Sequence, residues 1–106
     1  MRSLSLQNIL TAGTFWPRFL GLMGMRNWPP GAKGLFFPHC RSVHTFFTFL
    51  KPDLVFMDKT RTILEIVPSA GPWRLFWGPP ESEHCLELPR GSCGKLRLKV
   101  GMIVRF

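Results

Sequence analysis

Apolar residues come in short bursts cut by proline and glycine, and the spacing inside those bursts changes along the chain. Two segments rich in turn formers, "NWPPGAKG" from Asn27 to Gly34 and "WGPPESE" from Trp77 to Glu83, divide it into three parts. In the first part, Phe15, Phe19, Leu22 and Met23 recur at the spacing of one helical face. Thr14 is placed to cap that helix, Pro17 is tolerated in its first turn, and Gly21 and Gly24 keep it short.

The middle part changes period. "GLFFP", "VHTFFTFL", "DLVFMD" and "TILEIVP" are short runs rich in β-branched and aromatic residues, the composition of strands. "DKTR" between the last two is long enough to turn the chain, which predicts a β-hairpin from Asp53 to Pro68. In the last part, Leu86 and Leu88 alternate with Cys85 and Glu87, the pattern of a strand with one buried face. "RGSCGKLRL" reads as one helical turn or a wide loop, and "MIVRF" as a closing strand paired inside the sheet.

Composition narrows the class. A chain of 106 residues has material for one ordinary core, so residues 1–106 form a single domain. With 45% hydrophobic and 19% charged residues it has enough apolar surface to fold. Ten prolines and ten glycines, spread throughout, favour a turn-rich, mostly β domain. Three cysteines, Cys40, Cys85 and Cys93, cannot all pair with one another, which points away from a disulfide scaffold and towards a reducing compartment. No stretch approaches the roughly twenty apolar residues of a membrane span, and the N-terminus lacks a sustained apolar signal segment. A cytoplasmic protein is the expectation.

The net charge of +8 would attract polyanions. Its cations are nevertheless scattered singly, at Arg18, Arg26, Arg41, Arg61, Arg74 and Arg90, as on a solvated surface. The tail concentrates charge: Lys95, Arg97 and Lys99 alternate with Leu96, Leu98 and Val100, which on a strand would put the cations on one face.

Six pieces, "FWPRFLGLMGMR", "GLFFPHCRSVHTFFTF", "DLVFMDKTRTILEIV", "PWR", "LELPRG" and "LKVGMIVRF", resemble in order and spacing the bacterial and archaeal family called domain of unknown function 192. The resemblance runs from about Thr14 to Phe106. It implies an α+β domain, predominantly β, in which a compact curved sheet or partly closed barrel carries one or two short helices. It implies no biochemical activity. Family-typical positions include Arg41 to Phe46, Asp53, Phe56, Asp58, Trp73, Arg74 and the run Leu86, Glu87, Leu88. The chain departs from the pattern at Pro52, displaced by one place ahead of Asp53, and at Met102, where relatives carry a carboxylate.

Spacing sorts the candidate chemistry. His39-Cys40 and His84-Cys85 are adjacent pairs whose members point to opposite faces of a strand, so they make a poor zinc set, and no metal or cofactor is called for. Ser42 and His44 share a face, and a small enzyme using His44 with Asp53 or Glu87 is one alternative. Asp53 and Asp58 bracket a strand rather than form a dyad. The preferred reading is a binding or accessory module. Arg41, His44, Thr45, Trp73 and Arg74 line a cleft for a small anion or a peptide, and Asp53 and Glu87 hold the arginines. Nucleic-acid binding through a basic surface, with Trp28, Trp73 and Trp77 stacking on bases, is the other alternative.

Overall fold

The computed structural model describes residues 2–11, 28, 31–44, 50–71 and 73–106. The helix expected from Thr14, and Thr45 with the aromatic run after it, lie outside the described residues. Five strands form the main sheet: β2 (Ile9–Thr11), β3 (Gly34–Phe37), β5 (Asp53–Met57), β6 (Ile63–Val67) and β8 (His84–Leu88), in the order β2-β3-β8-β5-β6. β2 runs parallel to β3, and the remaining pairs are antiparallel. Two small ribbons complete the strands of the described residues: β1 (Ser3–Ser5) parallel to β9 (Ile103–Arg105), and β4 (Ser42–His44) antiparallel to β7 (Leu75–Trp77). Among the described residues the sheets do not close into a barrel.

The hairpin from Asp53 to Pro68 forms as expected, because Asp58 builds its turn. Its Oδ1 accepts the Thr60 and Thr62 amides at 2.9 and 3.0 Å and the Thr60 hydroxyl at 2.7 Å. Burial pushes that carboxyl up, but these donors outweigh it and hold the group below its usual range.

The central strands are buried on both faces. Phe36, Val55, Met57, Leu86 and Leu88 join one core with Leu98, Met102 and Val104; Leu35, Phe37, Leu54, Phe56 and Cys85 join a second on the opposite face. Each such side chain contributes about 1.5–3 kcal/mol on leaving water. This corrects the one-faced reading of β8: the alternation is present, but both sets of side chains point into protein, so Glu87 is buried rather than solvated.

Close packing of the first three strands depends on Gly34. A Cβ there would stand 2.7 Å from Leu88 Cδ2, 2.9 Å from Ile9 Cδ1 and 3.1 Å from the Glu87 carbonyl oxygen. The backbone contact cannot yield as a side chain can. Gly34→Ala is therefore expected to cost about 1–3 kcal/mol; thermal unfolding at matched pH checks it, and an unchanged Tm would contradict the packing argument.

Two expectations about the end of the chain are corrected. Lys95, Arg97 and Lys99 do not share a strand face. Ser92–Lys95 form one helical turn, α1, and the residues after it form turns in which the Leu96 and Leu98 amides donate to the Ser92 and Cys93 carbonyls. Gly91, Arg97 and Gly101 take left-handed conformations that break any strand. β9 pairs with β1 on one side and, on the other, meets the main sheet only through an antiparallel bridge from Ile103 to Thr62 at the start of β6; Phe106 beyond it lies under Arg61, whose guanidinium carbon is 4.1 Å from its ring centroid. β1, β2 and β7 carry too few periodic residues for the pattern above to have marked them.

Candidate functional site

Arg41, His44, Trp73 and Arg74 all gather on the β4–β7 ribbon. Ser42 stands opposite Trp77, Val43 opposite Phe76 and His44 opposite Leu75. Strand alternation sorts these pairs. Val43 and Phe76 face inward and pack on the second core, whereas Leu75 and Trp77 stand out at 51% and 68% exposure. Trp73, 62% exposed and held at a left-handed φ of 58°, precedes them. The ribbon is seated on the main sheet through Gly78, where an added Cβ would meet Phe56 ring carbons at 2.7 and 2.9 Å.

The two arginines stand at opposite ends of this ribbon. Arg41 donates from Nη2 to the Pro80 carbonyl at 3.1 Å, and its own carbonyl accepts the Gly78 amide. Arg74 lies 5.1 Å over the Phe76 ring, a cation–π contact. By the strand rise they are separated along the ribbon by roughly 13 Å. The ribbon therefore presents an open apolar face of Trp73, Leu75 and Trp77, while Arg41 and Arg74, one near each end, fall in phase with the inward residues Val43 and Phe76.

Asp53 and Glu87 are elsewhere and do different work. Asp53, 1% exposed, sits at the start of β5, where Oδ1 accepts the Ser69 amide at 2.8 Å and Oδ2 the Cys93 amide at 2.9 Å. It ties the end of the hairpin to α1, so the expected arginine clamp is replaced by a carboxylate–amide clamp. Burial and the Asp53 charge push the Cys93 thiol up to about 12. Glu87, 5% exposed, lies between Leu35 and Leu54 of the flanking strands. Its Oε2 has no hydrogen-bond partner among the described residues, and burial raises its pKa to about 8.

A polar cluster that the spacing argument dismissed as a metal set does assemble at one end of β3 and β8. The His39 amide donates to His84 Nδ1 at 3.1 Å, His39 Nδ1 lies 3.0 Å from Glu83 Oε2, and the two rings meet edge-on at 5.5 Å. Burial lowers the His84 pKa, and the contact with His39 lowers that of Glu83. The adjacent-pair reasoning allows one member of each pair to face a common point, and the β3–β8 register makes those members His39 and His84. Among the described residues no group of three or more His, Cys, Asp or Glu side chains is arranged to hold a metal, and the three cysteines are free. No described helix is long and apolar enough to cross a membrane.

A family model described as Uncharacterized ACR, COG1430 (DUF192) matches residues 4–106, starting ten residues before Thr14 and taking in β2 and all but the first residue of β1. Two crystal structures share the fold. A protein of unknown function from Novosphingobium aromaticivorans is 21% identical, with a TM-score of 0.74, over 88% of this chain and 70% of that one. A protein from Sinorhizobium meliloti described as a candidate transcription regulator is 27% identical, with a TM-score of 0.71, over 88% of this chain and 76% of that one. No curated protein matches the chain.

Proposed function

Since the chain belongs to the DUF192 family, which brings a fold without an activity, we propose from the surface of this fold that it is a binding module for single-stranded nucleic acid. The observation that carries this is the outward face of the β4–β7 ribbon, where Trp73, Leu75 and Trp77 are all more than half exposed. Exposed indoles stack on bases of any sequence, and each such stack contributes about 1–3 kcal/mol. The net charge of +8 supplies the attraction for a phosphate backbone, with Arg41 and Arg74 at the two ends of the ribbon. The description of the S. meliloti protein as a candidate transcription regulator agrees with this class of partner. A small-anion cleft is less well supported, because the two arginines lie at opposite ends of the ribbon.

Fluorescence anisotropy with a labelled single-stranded oligonucleotide tests the proposal. Binding is expected to weaken steeply with salt, and a Trp73→Ala, Trp77→Ala double variant to lose at least about tenfold in affinity while keeping its Tm. Equal binding by the double variant would remove the ribbon from the interface. A loss of affinity seen for a peptide but not for an oligonucleotide would reassign the surface to protein recognition.

A further inference from the structure

On the other side of the molecule the chain crosses from β1 to β2 and leaves an open cleft of about 520 Å³, lined by Leu6, Ile9, Leu88 and Leu96 with Lys33 and Lys95. We propose that this cleft is a second ligand site, independent of the ribbon, for an aliphatic carboxylate: an anionic head held between the two lysines and an alkyl tail laid along the leucine and isoleucine floor.

Four features select that chemistry. The volume falls within the roughly 300–1,000 Å³ of small-molecule sites, which are mostly apolar with a few polar groups. Among the described residues the cleft has no acidic lining residue, and its two ionisable side chains are both cationic, so the charge preference is for an anion. None of its described lining residues is aromatic, which favours a flexible alkyl body over a stacking ring. Finally, the floor is fixed: Leu88 and Ile9 come together above Gly34, where even a methyl group would collide with both. The Lys33 amide is itself tied to the Asn8 carbonyl at 2.8 Å, which sets the spacing between the β1–β2 crossing and the loop that carries one of the two charges.

The lysine stems can cover the rim while their ammonium groups stay hydrated. A lone carboxylate with no apolar body would gain little from such point charges in water, since exposed ion pairs contribute about 0–1 kcal/mol. Affinity should therefore require head and tail together.

Decanoate, kept below its micellar concentration, is the probe, followed by calorimetry and by amide shifts in a 1H–15N spectrum. Saturable binding with shifts at Lys33, Leu88 and Leu96 is expected, with acetate and 1-decanol each at least tenfold weaker. A Lys33→Glu, Lys95→Glu double variant should lose at least tenfold for decanoate, keep its Tm and still bind an oligonucleotide through the ribbon. Equal affinity for 1-decanol and decanoate would overturn the anion site, as would undiminished binding by the double variant or shifts confined to other parts of the molecule.

Discussion

Asp53→Asn is expected to lower the free energy of unfolding by about 3 kcal/mol, a large share of the roughly 5–15 kcal/mol that holds a domain together. Both oxygens of this buried side chain accept backbone amides, from Ser69 and Cys93. Hydrogen bonds to a charged acceptor contribute about 1.5–3 kcal/mol each, and a buried amide deprived of its partner carries a similar penalty. Asparagine keeps the shape but turns an NH2 group towards one of those amides, so a donor faces a donor. The damage should spread beyond β5, since the Cys93 contact is what draws α1 onto the sheet. Urea unfolding monitored by tryptophan fluorescence measures it, with Asp58→Asn in the exposed hairpin turn as the comparison. A midpoint shift for Asp53→Asn no larger than that for Asp58→Asn would sink the clamp.

Stability is also expected to fall as pH rises from about 5 to 8, and Glu87→Gln to remove that fall. In the fold this carboxyl has a pKa of about 8, against 4.5 ordinarily. Between those values the folded protein holds a proton that the unfolded chain has already released. Unfolding thus liberates a proton, and raising the pH favours it by up to about 1.4 kcal/mol per pH unit. Below the lower value both states are protonated, and above the upper value both are ionised, so the slope vanishes outside this window. His84 acts with the opposite sign: burial keeps its folded pKa below 6.5, so acidification below that value favours the unfolded chain. That acid-side slope should remain in Glu87→Gln. Thermal unfolding from pH 5 to pH 9 should therefore show the two proteins diverging with rising pH, the glutamine form being the more stable at pH 8. Parallel curves would show that Glu87 is ionised in the fold.

Glu87 also marks how far the sequence could be read. Alternation in "HCLEL" places Glu87 with Cys85 on one face correctly, and the hairpin from Asp53 was legible because Asp58 carries its own turn chemistry. Which faces are covered is not a local property. The second core over Leu35, Leu54 and Phe56 draws on residues from β4, β7 and the loops, far away in sequence, and a polar residue in a strand says nothing about that cover. For the same reason Asp53 was singled out but given the wrong partners: a backbone amide forty residues away leaves no mark on side-chain spacing. Arg41, His44, Trp73 and Arg74 belong to one ribbon, but the β4–β7 register, which the sequence does not carry, puts the two arginines at its opposite ends. The alkyl cleft gave no signal, because Leu6, Lys33, Leu88 and Lys95 belong to separate segments that share no motif.

The parallel pairing of β1 with β9 bears on how the chain reaches its fold. Ser3 is registered with Ile103, so this ribbon joins segments from nearly opposite ends of the sequence. Closing so long a loop is entropically costly, and contacts of this range slow folding and are poor nuclei. The β5–β6 hairpin, closed by its own turn, is the natural early structure, with β8 and β3 added beside it. β1 then closes on β9 as a late clasp, and until it does, the backbone edge of β9 stays open to pairing with other chains.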